Sequence, residues 1–220
     1  MSTRAVIFDF NGTLFWDTEY QETSWDQYLE KHGISLTDDQ KREYIHGRNG
    51  RDTFEVLFQK KLSDAEVHDM TEEKEILYRK ECLKHKMELA PGVDALLKYL
   101  KENNVLMAIA TAAGKSNVDF FIEHFGLLDY FEMEHIIYND GTVRGKPHPD
   151  LFNKAIKALG CDKSETVIFE DSSSGIQAAI NSGVAKVVIV NSNGYHFHEF
   201  QLPVITHFDQ FDRSEFKQKV

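Results

Sequence analysis

The chain has 220 residues, 41% hydrophobic and 28% charged, enough for one large α/β domain or a core with a small insertion. Its 25 Lys and Arg against 36 Asp and Glu leave a formal charge of −11, which argues against a broad interface with nucleic-acid phosphates. No apolar run approaches a membrane span, the opening MSTRAVIFDF enters a strand without secretory features, and Cys82 and Cys161 fall in no metal-ligand spacing, so a cytoplasmic protein with reduced thiols is expected.

The first strand is predicted over 4–10, where Val6, Ile7 and Phe8 are the β-branched and aromatic residues that a buried parallel strand uses. This run delivers Asp9 into the turn Asn11-Gly12-Thr13, outside a strand's carboxyl end, where open α/β sheets bind ligands. From 17 to 86 there is no strand pattern. Helical periodicity runs through Trp25, Tyr28 and Leu29, then Phe54, Leu57 and Phe58, then Ile76, Leu77 and Leu83. Asp17, Thr18 and Glu19 read as the capped start of the first helix. The stretch is too long for a crossover, so an inserted helical bundle is expected over 16–87, with hinges near 15–17 and 87–91. Strands predicted over 105–111, 134–139, 166–171 and 186–191 then alternate with helices over 93–103, 115–125, 149–160 and 173–183. Pro203, Val204, Ile205 and Thr206 read as an edge strand, where a leading proline is tolerated. The fold class is α/β: a doubly wound parallel sheet over 1–15 and 88–220 with a helical insertion.

Four segments at or following the ends of predicted strands carry groups capable of chemistry. Asp9 is a candidate attacking carboxylate, although a carboxylate before glycine also serves as a turn-former or helix cap. Thr111 ends the second strand in a hydroxyl, and the small residues Ala112, Ala113 and Gly114 would let a ligand approach backbone N–H groups; capping of the next helix is the plainer role. Lys146 lies in Arg144-Gly145-Lys146-Pro147-His148-Pro149-Asp150, where two prolines stiffen the chain and hold a cation in place. Pro149 and Asp150 are suited to starting a helix. Glu170 and Asp171 are adjacent carboxylates that repel unless a cation is near, and Mg²⁺ is the hard, oxygen-seeking ion that fits them; Asp171 could instead cap the helix that follows. Phe120, Phe121 and Phe125 at helical spacing read as core, and His196 and His198 as loop residues without a third metal partner.

Asp9-Phe10-Asn11-Gly12-Thr13 resembles the nucleophile loop of the haloacid dehalogenase (HAD) superfamily, usually Asp-x-Asp-Gly-Thr. Gly145-Lys146-Pro147-His148-Pro149-Asp150 matches that family's Gly-Lys-Pro-x-Pro-Asp, and the motif order is similar to the β-phosphoglucomutase-like branch along essentially the whole chain. The resemblance implies a Rossmannoid core with a helical cap that closes over substrate, Mg²⁺ as cofactor, and Asp9 as nucleophile forming an aspartyl-phosphate. It also implies Thr111 bound to the phosphoryl group, Ala112 beside the substrate, Lys146 neutralising charge, and a metal held by Asp9, Asp171, Glu170 and the backbone carbonyl of Asn11. The family's second aspartate moves the proton; Asn11 cannot. In the cap, the loop Gly47-Arg48-Asn49-Gly50-Arg51 aligns with the specificity loop, and Arg51 and Lys74 resemble residues that grip the distal phosphate and the sugar. The expected activity is Mg²⁺-dependent hydrolysis of a small phosphomonoester, a sugar phosphate foremost, reduced or narrowed by Asn11. A phosphomutase and a non-catalytic sugar-phosphate binding or regulatory protein are the alternatives. The expected partner is a small phosphorylated metabolite, with no nucleic acid and no membrane, for a monomer or weak dimer.

Overall fold

Short, continuously apolar runs pair into a parallel sheet of β1 (Ala5–Phe8), β2 (Leu106–Ala110), β3 (Ile136–Ile137), β4 (Thr166–Glu170), β5 (Lys186–Val190) and β6 (Val204–Ile205). Their order is β3-β2-β1-β4-β5-β6. The helices are α1 (Thr18–Lys31), α2 (Asp38–Tyr44), α3 (Gly50–Phe58), α4 (Asp64–Cys82), α5 (Val93–Glu102), α6 (Lys115–Phe125), α7 (Asp150–Leu159) and α8 (Ser173–Ser182). This computed structural model describes residues 3–45 and 50–216. The chain divides into two units, Met1–Trp16 with Glu88–Val220, and Asp17–Met87. Among the described residues no helix is long and apolar enough to cross a membrane.

Because successive strand residues point to opposite faces, each central strand contributes to two cores. Ile7, Ala108, Ala110 and Ile168 lie against Leu151, Phe152 and Ala155 of α7 and Ala178 and Ala179 of α8. The alternate residues make an aromatic core: Phe8 stacks on Phe169 at 5.2 Å, and Phe208 and Phe211 close over Phe169 at 5.4 and 5.0 Å. From β1 the sheet grows outward through β2 to β3, then resumes on the other side of β1 with β4. The carboxyl ends of β1, β2 and β4 therefore flank the point where strand order reverses, the position at which such sheets bind ligands. Phe8 is level with Ile109 and Phe169, and the Asp9 N–H donates to the Phe169 carbonyl at 3.0 Å.

The expected strand over 134–139 is shorter than its apolar pattern. Met133–His135 winds into a 3-10 turn, and only Ile136–Ile137 pairs, along the sheet's edge.

In the helical unit, Tyr28, Phe54 and Leu62 form a core with Trp25, Phe58 and Leu77. Thr37 with Gln40, and Ser63 with Glu66, make reciprocal capping boxes at the starts of α2 and α4. Two expectations fail here. Ile76 and Leu83 are 41% and 58% exposed; the buried face of α4 is instead Lys74, Tyr78, Glu81 and Cys82. Their spacing is helical but their chemistry is polar, and hydrogen bonds offset the burial: Lys74 Nζ donates to Gln21 Oε1 at 2.6 Å, and Gln27 Nε2 to Glu81 at 2.9 Å. Asp17 occupies the N-cap position of α1 without capping it. Its carboxylate accepts from the Tyr78 hydroxyl at 2.6 Å and from Gln21 Nε2 at 3.2 Å, tying α1 to α4.

Candidate active site

The turn after β1 is built by the chain folding back on itself. The N–H groups of Thr13 and Phe15 both donate to the Phe10 carbonyl, and that of Gly12 donates to the Phe15 carbonyl at 2.7 Å. Phe10 anchors the turn by stacking on Phe121 at 4.3 Å. Gly12 has φ +80°, and a Cβ there would overlap the Asp171 carboxylate, so both conformation and space demand glycine. The turn places Asp9 in a buried position and leaves Asn11 half-buried.

Lys146 reaches this turn from the loop before α7. Its Nζ donates to Asp9 Oδ1 and to Glu170 Oε1, each at 2.5 Å, and lies 5.1 Å from the Phe152 ring centre. Burial alone would pull the ammonium's pKa down; the charges of Asp9 and Glu170 and the hydrogen bonds to both outweigh it and hold Lys146 above the ordinary lysine range. The supporting clamp was not foreseen: Arg144 grips Asp150 through Nε and Nη2, both at 2.9 Å, and Asn181 Nδ2 donates to the Pro147 carbonyl at 3.0 Å. Asp150 thus does more than start a helix. It closes the loop that presents Lys146.

At the end of β4, Glu170 Oε2 accepts from the Ser172 N–H at 2.7 Å and the Ser172 hydroxyl at 3.1 Å. Ser172, not Asp171, caps α8, its Oγ accepting from the Gly175 N–H. Asp171 is left for the site, where Thr13 Oγ1 donates to it at 3.2 Å. Ser172 and Gly175 are contributors that pattern reading missed, the Ser-Ser-Ser-Gly run after Asp171 being their only visible sign, and Thr13 stood in the turn motif without an assigned role. A Cβ on Gly175 would overlap the Glu170 carboxylate. Alanine in a helix is ordinarily favoured over glycine by about 1 kcal/mol, whereas overpacking costs about 1–3 kcal/mol. Gly175→Ala is therefore expected to lower the melting temperature, against the helix-propensity trend; an unchanged or raised value in a thermal melt would remove the close approach from the account.

Asp9, Glu170 and Asp171 each offer an oxygen within 4.8 Å of the others. Three carboxylates against the single ammonium of Lys146 leave two negative charges in excess, and an all-oxygen set of that charge fits a hard divalent cation. Thr111, buried at the end of β2, does not cap α6: its Oγ1 accepts from the Ala113 N–H at 3.1 Å, which removes that amide from ligand binding and leaves Ala112 exposed beside it. The remaining expected residues belong to the helical unit. The Arg51 guanidinium donates to the Leu62 carbonyl and to Asp64, and Lys74 lies 5.3 Å from both the Trp25 and Tyr78 ring centres. Gly47, Arg48 and Asn49 lie outside the described residues.

The family of haloacid dehalogenase-like hydrolases matches residues 6–190 of this chain. A HAD hydrolase of family IA, variant 3, from Entamoeba histolytica is 33% identical, with 97% of both chains covered and a TM-score of 0.90. The phosphorylated carbohydrates phosphatase of Thermotoga maritima is 28% identical over 83% of each chain. The β-phosphoglucomutase structure from Clostridium difficile is 26% identical, covering 96% of this chain and 94% of that one with a TM-score of 0.78. The matched span runs from the second residue of β1 to the end of β5, and takes in every carboxylate gathered at the switch point. The chain belongs to the haloacid dehalogenase-like hydrolase family.

Proposed function

We propose that this hydrolase is a Mg²⁺-dependent phosphatase of small phosphomonoesters that works through an aspartyl-phosphate on Asp9, with phosphorylated carbohydrates the first class to screen. The observation that carries the reading is Asp9, a residue 5% exposed at the switch point whose carboxylate is held by Lys146 beside two further carboxylates. The phosphatase name of the Thermotoga relative supports it. Asp9 attacks phosphorus, Lys146 orients the attacking carboxylate and offsets the charge gathering there, and Thr111 binds the phosphoryl group. Asp9, Glu170, Asp171 and the Asn11 carbonyl would hold the metal, which would supply positive charge to neutralise phosphoryl oxygens. Asn11 keeps the turn but moves no proton, so turnover is reduced or narrowed.

The test is phosphate release from a panel of sugar phosphates with Mg²⁺ or EDTA, alongside thermal melts. An ion at 100 times its dissociation constant stabilises by about 2.7 kcal/mol, or roughly 5–10 °C for a chain of this size. Mg²⁺ is expected to raise the melting temperature of wild type by that order and that of Asp171→Asn far less. Equal shifts in both proteins would place the ion elsewhere.

A further inference from the structure

Attack by Asp9 requires an oxygen to leave phosphorus. An alkyl oxygen is a strongly basic leaving group and needs a proton from a general acid within hydrogen-bond reach. An acyl, enolic or phosphoric oxygen departs as a stable anion without one. The groups described around Asp9 bear on which kind of substrate the sheet unit can serve. Glu170 accepts through both oxygens, from Lys146 on one and from the Ser172 N–H and O–H on the other. Asp171 accepts the Thr13 hydroxyl proton. The Lys146 ammonium is directed at two carboxylates. The histidines of this unit with ring-nitrogen partners find them elsewhere: His124 at the Phe120 carbonyl, His135 at Glu134 and His207 at Asp209. Two residues beyond Asp9, where the turn folds back, stands Asn11. Its amide forms hydrogen bonds but is not an acid of useful strength.

We infer that the chain acts on phosphoryl groups carried by weakly basic oxygens (acyl phosphates, enol phosphates and phosphoric anhydrides) in preference to alkyl phosphates, and that Asn11 sets this choice. The inference rests on the phosphatase reading above and shifts its preferred substrates from alkyl phosphomonoesters to phosphoryl groups on better leaving oxygens. Among phosphorylated carbohydrates it places sugar-acid acyl phosphates and enol phosphates ahead of alkyl esters. In the first step the Asp9 carboxylate bonds to phosphorus while the bond to the leaving oxygen breaks, its electron pair departing with that oxygen as an anion. In the second, water attacks the same phosphorus, the bond to Asp9 breaks, and a carboxylate and dihydrogen phosphate are released. The leaving group there is itself a carboxylate, so neither departure draws on a proton from the protein.

The experiment measures kcat/KM for substituted phenyl phosphates of matched shape, acetyl phosphate and glucose 6-phosphate, in wild type, Asn11→Asp and Asp9→Ala. Wild type is expected to slow steeply as the leaving phenol becomes more basic. A positioned general acid is worth about 10²- to 10⁴-fold, so the preference for acetyl phosphate over glucose 6-phosphate is expected to shrink by at least about 10²-fold in Asn11→Asp. A flat series in wild type, or the same preference in both proteins, overturns the inference. Should Asn11→Asp not fold, the wild-type series decides alone. The two levels separate through Asp9→Ala: release that survives it removes the nucleophile and the inference with it, whereas Asp9-dependent release with a flat series removes the inference only.

Discussion

Asp9→Ala is expected to lower phosphate release by about 10⁴- to 10⁶-fold, the range seen when one member of a catalytic triad is removed from an otherwise intact site. The fold should tolerate the change. Lys146 keeps its second partner, Glu170, at 2.5 Å, so no buried ammonium is stranded, and one of three crowded like charges disappears. A melting temperature within a few degrees of wild type is therefore expected beside the loss of activity. That pairing separates a chemical role from a structural one. A loss of less than about tenfold in a well-folded variant would mean that phosphorus is attacked by something else.

Lys146→Met is expected to damage both activity and stability. Methionine fills much of the same space but leaves the Asp9 and Glu170 side chains, 7% and 1% exposed, without the cation that bridges them. Breaking a buried ion pair by removing one partner costs about 3–5 kcal/mol, which for a chain of this length lowers the melting temperature by roughly 6–20 °C. Losing the positioned charge is expected to cost a further 10²- to 10³-fold or so in turnover. Mg²⁺ should restore part of the stability, because a divalent ion among the same carboxylates supplies the missing charge, but it should not restore turnover. Calorimetry with and without the ion, beside a phosphate assay, checks each part. A melting temperature matching that of wild type in EDTA would show that the carboxylates never needed the lysine.

The sheet was legible because its strands are buried on both faces and so appear as unbroken apolar runs flanked by turns. The switch point followed from those strands, and Asp9, Lys146, Glu170 and Asp171 do come together where their motifs end. Pattern reading failed where burial is polar. Lys74, Tyr78, Glu81 and Cys82 occupy a correct helical period, but a search for apolar periodicity passes over them in favour of Ile76 and Leu83. It failed also where meaning lies in a close approach: nothing local to Gly175 shows that the Glu170 carboxylate rests where its Cβ would be. The same holds for Asp17, whose position suits a cap while its carboxylate answers Tyr78, 61 residues away.

The central place of β1 bears on how the molecule is made. Ala5 pairs with Leu106 on one side and with Thr166 on the other, so β1 is synthesised well before either of its neighbours exists. Contacts this distant in sequence make folding slow. Polypeptides released before residue 166 would carry Asp9 yet lack Glu170 and Asp171, so they would hold only one of the three clustered carboxylates.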